Sequence, residues 1–204
     1  MNSEERIKAA ARKVFHQKGY AGTRTRDIAE EAGINHAMVN YYFRSKEKLF
    51  GIVMLETMTF FFKGVATILN NENTSLEQKI EQVVAKYIDL LLEEPELPTF
   101  VFNEVRTNPE PFVENSPIHE ALQNSVLARQ YAEAVAQGRI TEPNLIHTVL
   151  NVISLVIFPF IAQPIFTALS RTDKEAYKAL MLERKKLIPQ WIKAMLFVEA
   201  KSEK

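Results

Sequence analysis

Cysteine is absent from the 204 residues, which excludes a disulfide framework, a thiolate metal site and a thiol nucleophile. Such a chain suits a reducing compartment. Only six glycines are present, and they form neither a phosphate-cradling loop nor a dinucleotide-binding turn. The histidines His16, His36, His119 and His147 are scattered, with no partner at helical metal spacing, so no metal and no cofactor are expected. No Ser-His-Asp arrangement occurs, and Glu104, Glu110 and Glu114 read as loop surface rather than as paired catalytic carboxylates. An enzyme is therefore not expected. Met1 to Arg6 is polar and holds no apolar run of the kind that marks a signal peptide.

Excess charge of either sign is also missing: 25 basic residues balance 25 acidic ones, which argues against a protein that coats nucleic acid indiscriminately. The distribution is more telling than the total. Residues 1–50 carry ten Lys or Arg against six Asp or Glu, leaving fifteen against nineteen for the rest. The basic end is a candidate contact for a polyanion. With 47% hydrophobic and 25% charged residues, the chain has the balance of an ordinary folded protein.

Strand-like alternation is absent, and the apolar pattern is helical throughout, so an all-α fold of about nine or ten helices is expected. Ile7, Ala10, Ala11, Val14 and Phe15 mark one face of a first helix closed by Gly19. Thr25 is read as the N-cap of a short second helix ending at Ala32 and Gly33, and Asn35 as the cap of a third from His36 to Tyr42. Ser45 caps a long fourth helix. Thr74 and Glu77 read as a capping box for a fifth, which Pro95 and Pro98 end. A sixth spans about Thr99 to Thr107. Ser116 and Pro117 open a seventh that Gly138 closes, and Thr141 and Pro143 begin an apolar eighth. Thr172 and Glu175 open a ninth with Tyr177, Leu180, Leu187, Trp191 and Met195 inward, kinked or split at Pro189. A boundary near Ser45 divides a small domain, residues 1–46, from a larger one, residues 47–204.

Two short helices joined by Gly33-Ile34-Asn35 have the proportions of a helix-turn-helix, in which the second helix lies in the major groove. The run from Val14 to Phe50, VFHQKGYAGTRTRDIAEEAGINHAMVNYYFRSKEKLF, closely resembles the DNA-binding signature of the TetR family of bacterial regulators. Its matched features are KGY, GT before the second helix, IA followed by AG, YYF and SKEKLF. The resemblance implies that Thr25, Tyr42 and Lys46 contact phosphates, and that Arg26, His36, Ala37 and Asn40 read bases. A cap hydroxyl, a phenol and an ammonium suit anions, while Arg to guanine and Asn to adenine are favoured groove pairs. Arg24 is assigned to phosphate as an extra cation. Many family members have glycine in place of Ala37 and tyrosine in place of Asn40, so the groove contacts are this chain's own.

The same resemblance implies a larger C-terminal helical domain for ligand binding and dimerisation. Aromatic and Met residues gather there, and an apolar or aromatic effector is expected against Met58, Phe61, Phe62, Phe100 and Phe158, with Asn103, Arg106 or Gln163 as polar anchors. Dimerisation is expected through the eighth helix, by Leu150, Ile153, Ile157 and Ile161, and the ninth, by Tyr177, Leu180, Arg184 and Trp191. Pro143 to Ser170 lacks Asp, Glu, Lys and Arg over 28 residues. It is read as a buried helix or subunit interface rather than a membrane span, because Asn151, Ser154, Pro159, Gln163 and Pro164 interrupt it. The expected whole is a cytoplasmic homodimeric repressor that releases palindromic operator DNA when a small molecule binds. The alternatives are an architectural or non-inducible DNA-binding protein and a small helical enzyme.

Overall fold

The computed structural model describes residues 2–107, 110, 123–171 and 173–198, with Phe61 described by its backbone alone. Among them are ten helices and no strand: α1 (Ser3–Gly22), α2 (Thr25–Ala32), α3 (His36–Phe43), α4 (Lys46–Leu69), α5 (Leu76–Glu93), α6 (Leu97–Thr107), α7 (Val126–Ala136), α8 (Leu145–Ile161), α9 (Gln163–Ser170) and α10 (Lys174–Leu196). The expected all-α class holds.

Packing groups the chain into two compact units, Met1–Lys63 with Thr99–Ser116, and Gly64–Pro98 with Pro117–Lys204. The first unit runs further along α4 than the 46/47 boundary expected from sequence. The reason is the apolar face of α4, where Leu49, Phe50 and Val53 are buried beside Ile7, Val14 and Phe15 of α1. Phe50 meets Phe15 edge-on at 5.0 Å, and Phe100 of α6 lies 5.7 Å from Phe50 and 4.7 Å from the His16 ring. A fully buried aromatic of this kind contributes roughly 1.5–3 kcal/mol. Lys8 and Arg12, one turn apart on α1, both pair with Glu56 of α4, at 2.7 and 3.1 Å. The Glu56 carboxylate raises the Lys8 ammonium above its ordinary value, chiefly through their hydrogen bond.

In the second unit α5, α8 and α10 pack together, with Ile80, Val84, Ile88, Val156, Phe160, Met181, Ile188 and Ile192 buried. Pro159 lies inside α8 and has no N–H to give the Leu155 carbonyl four residues back. Arg184 of α10 supplies the missing donor, its Nη2 lying 2.8 Å from Leu155 O. Tyr177 seals the same crossing by donating to Pro159 O at 2.9 Å. Burial pushes the Tyr177 phenol up to about 12.

Several local expectations shift. Thr25 is the first helical residue of α2 rather than its cap; Asp27 accepts from the Arg24 N–H at 2.9 Å instead. The α5 capping box is Ser75 with Gln78, one residue later than Thr74 with Glu77. Thr74 is engaged elsewhere: its carbonyl, its hydroxyl and the Asn71 carbonyl all accept from the fully buried Lys79 ammonium, at 2.6, 2.9 and 2.6 Å. Desolvation lowers the Lys79 ammonium below its ordinary value.

Pro98 falls in the first turn of α6 instead of ending α5, a position where its missing N–H has no partner to lose. Ser125 caps α7, while Ser116 and Pro117, like His119 and Glu114, lie outside the described residues. The apolar eighth helix is two helices, α8 and α9, bent by 63° at Ala162. Thr172 also lies outside the described residues, and Asp173 caps α10, which continues unbroken through Pro189. By length and composition, α4 and the bent pair α8–α9 are the described segments apolar enough to cross a membrane.

Candidate nucleic-acid interface

Gly33 ends α2 in the left-handed region at φ 63°, ψ 41°, and the turn closes with Ile34 N donating to Ala29 O at 3.0 Å. A side chain at that φ is strained, so glycine is favoured there. Asn35 then starts α3 by accepting from Ala37 N at 2.9 Å. From the far side, Arg6 of α1 donates to the carbonyls of Ala32 at 2.7 Å and Gly33 at 3.3 Å, satisfying the C-terminal end of α2. Ile28, Ala29, Ala32, Val39 and Phe43 are buried where α2 and α3 meet. The turn is therefore held at both ends and from behind.

This leaves one face of α3 outward. His36, Ala37, Asn40 and Tyr41 are exposed, and the pairs 36/40 and 37/41 each lie one turn apart, so the four form a continuous patch. Three of them, His36, Ala37 and Asn40, are among the four base-reading residues expected from sequence, the fourth being Arg26 on α2. Tyr41, 77% exposed and edge-on to Tyr42 at 5.3 Å, is an addition that the residue spacing alone could have supplied. Arg24 and Arg26 are exposed at the start of α2, and Arg44 is exposed at the end of α3 with φ 60°, a strained value for a residue with a Cβ. The surrounding charge is thus cationic, with Asp27 occupied by the Arg24 amide and by Lys18 at 3.4 Å. The Arg24 hydrogen bond, more than Lys18, holds the Asp27 carboxyl below its ordinary value.

Two of the expected phosphate contacts have partners inside the protein. Thr25 Oγ1 and His36 Nε2 lie 2.8 Å apart, joining the first residue of α2 to the first residue of α3. Lys46 Nζ donates to Tyr20 O at 2.9 Å and Thr23 O at 3.1 Å, and stands 4.1 Å over the Tyr20 ring. The third ammonium proton remains for an outside acceptor. Gly19 leaves the helix at φ 67°, ψ 178°, and Thr23 donates to the carbonyl of Gly19 at 2.7 Å. The KGY and GT stretches thereby seal the end of α1, and Lys46 fastens that seal to α4. Arg6, Gly19 and Thr23 were invisible as a set because their partners lie up to 27 residues away.

The expected effector residues divide between the two units. Met58 and Phe62 are buried on α4, and Phe100 is a core residue edge-on to Phe50 and tilted against His16 rather than a free wall. The Phe61 side chain lies outside the described residues. Asn103 and Arg106 are exposed on α6, with Arg106 5.7 Å from the Phe102 ring. In the second unit Phe158 is 58% exposed, 6.3 Å from Phe166, and Gln163 is half-buried. A shallow depression in that unit is lined by Glu77, Ile80, Glu81, Pro189, Lys193 and Phe197, none of them an expected effector residue.

The expected interface residues sort by burial. Leu150, Ile153, Leu180 and Trp191 are exposed, at 53, 38, 47 and 39%, while Ile157, Ile161 and Arg184 are half-buried. Tyr177, at 5%, belongs to the core between α8 and α10. Leu180, Trp191 and Met195 were read as inward and are outward; the buried face of α10 is Tyr177, Met181, Ile188, Ile192 and Leu196, one position further round. What remains outside is an apolar stripe on α8 (Ile146, Leu150, Ile153) beside one on α10 (Leu180, Trp191, Met195), with Arg184 5.2 Å from the Trp191 ring.

Residues 7–52 match the family model described as bacterial regulatory proteins, tetR family. The probable HTH-type transcriptional regulator YttP of Bacillus subtilis is 26% identical over 168 residues, 79% of this chain and 78% of that protein. The HTH-type transcriptional repressor NicS of Pseudomonas putida is 35% identical over 102 residues, 50% of this chain and 48% of that protein. Among solved structures, HlyIIR, a hemolysin II transcriptional regulator, superimposes with a TM-score of 0.62 over 97% of this chain and 98% of that one. At 22% identity that last likeness is one of fold.

Proposed function

We propose that the chain is a DNA-binding transcriptional regulator of the TetR family and not an enzyme, a repressor that holds a palindromic operator as a homodimer and releases it when a small apolar or aromatic molecule binds. The observation that carries the reading is the outward face of α3, His36, Ala37, Asn40 and Tyr41, braced from behind by α2 and flanked by Arg24, Arg26 and Arg44. A rigid helix presenting hydrogen-bonding side chains between cations is what groove reading needs: phosphate contacts set the register and base contacts specify. Arg24, Thr25, Tyr42 and the remaining proton of Lys46 take phosphates in this reading, and Arg26, His36, Ala37 and Asn40 take bases.

The homodimer is supported by the exposed apolar stripes of α8 and α10, which a soluble monomer would leave in water. Two copies joined there present two reading helices, and a two-fold protein calls for half-sites about one DNA turn, roughly 34–36 Å, apart. Induction is supported by α4, which begins at Lys46 and carries Met58, Phe61 and Phe62 further along. An effector shifts operator affinity only by its differential affinity for two states, typically 1–3 kcal/mol. Residues 1–46 then hold DNA, residues 47–204 hold effector and partner, and the protein acts in the cytoplasm without a membrane partner.

The test is selection of bound DNA from a random pool by the purified protein. Enrichment of a two-fold symmetric sequence, lost in Asn40→Ala, is expected; recovery of no symmetric site overturns the reading.

A further inference from the structure

Thr25 and His36 face each other across the helix-turn-helix, Oγ1 to Nε2 at 2.8 Å, with His36 exposed and Thr25 half-buried. A threonine hydroxyl has one proton and gives it to one acceptor at a time, and a neutral imidazole carries its proton on one nitrogen only. We propose that Thr25 is a positioning residue for His36, and that its single hydroxyl proton couples the phosphate contact to the base edge that His36 reads. This rests on the reading of Thr25 as a phosphate contact and His36 as a base contact.

The coupling follows from counting protons. When Thr25 donates to a phosphate oxygen, its oxygen can only accept from the ring, so Nε2 must carry the hydrogen. In the neutral ring Nδ1 is then a bare acceptor, and it matches the amino group of adenine or cytosine in the major groove. Guanine and thymine offer that nitrogen only acceptors, so base preference at one operator position follows from where the Thr25 proton goes.

The charged groups around the pair leave this logic intact. Arg24, Arg26 and Asp27 stand on the first turn of α2, with Glu30 and Glu31 further along, Glu31 being paired to Lys13 of α1. Lys18 of α1 reaches Asp27, Lys46 of α4 is turned to Tyr20 and Thr23, and α3 adds Tyr41, Tyr42 and, past its end, Arg44.

The experiment uses the full-length protein and the operator selected from a random pool. His36→Ala first identifies the base pair where preference flattens; operators carrying each of the four pairs there are then titrated with the protein at one pH. The expected result is roughly tenfold preference for adenine or cytosine. Thr25→Val frees the ring to choose its tautomer, so the preference collapses at that position, whereas Thr25→Ser retains it. A Thr25→Val protein that binds all four operators more weakly by one common factor, with the preference intact, overturns the proposal, as does a wild-type preference for guanine or thymine there. Failure to select any operator would instead count against the regulator reading.

Discussion

Replacing Arg184 by Met removes the donor that stands in for the N–H that Pro159 lacks. The Leu155 carbonyl, half-buried in α8, then loses its 2.8 Å partner. A hydrogen bond from a charged group is worth about 1.5–3 kcal/mol, and the stacking of Arg184 on the partly exposed Trp191 about 0.5–1 kcal/mol more. The total expected loss is about 2–4 kcal/mol. For a chain of this size that lowers Tm by roughly 4–16 °C at 2–4 °C per kcal/mol. The loss alone would not identify the cause, so the informative measurement is a double-mutant cycle with Pro159→Ala. Alanine restores a backbone N–H that can reach Leu155 O within the helix, and Arg184 then becomes redundant for that carbonyl. Arg184→Met should cost at least 1 kcal/mol less in the Pro159→Ala background, on the order of the couplings seen between groups that share a partner. Urea unfolding at one fixed protein concentration supplies the free energies, since stability of a dimer depends on concentration. Additive losses from the two substitutions would refute the substitution of one donor for the other.

Other outcomes follow from the same structure. Lys46→Met should weaken operator binding and also lower Tm, because two of its protons close the end of α1; a change in the salt slope of binding with no change in Tm would show that the internal bonds do not matter. Gly33→Ala should destabilise the fold by about 1–2 kcal/mol by forcing a Cβ into the left-handed region, as read from denaturant unfolding. The pair Leu150→Glu and Trp191→Glu, both in the exposed stripes, should yield monomers in sedimentation with helical content unchanged. The folded-state Tyr177 phenol lies above its unfolded value of 10.0, so its contribution to stability is complete below pH 10.0 and is lost as pH rises toward about 12; Tyr177→Phe should remove that part of the alkaline loss.

The helix-turn-helix was legible because its signals are local: Gly33 for the left-handed end, Asn35 for the cap, and a buried 28/29/39 set at helical spacing. The partners of Thr25 and Lys46 were not legible, since His36 is eleven residues from Thr25 and Tyr20 is twenty-six from Lys46, and nothing in composition announces a bond across a turn. The facing of α10 was misread for a different reason. Its apolar residues cover more than one stripe, so periodicity fits both Leu180–Trp191 and Met181–Ile192, and only packing against α5 and α8 selects the second for the core. The bend at Ala162 was hidden in a run with no charge to punctuate it, although Pro164 marks where a new helix can start.

The Glu56 carboxylate, gripped by Lys8 and Arg12 from successive turns of α1, makes the α1–α4 seam directional. Both cations already stand at contact distance, so if α4 slides along α1 the carboxylate keeps one and loses the other. If α4 rolls about its own axis, both cations are lost together. The two ion pairs act more as a rail than as a rivet, resisting rotation more than translation.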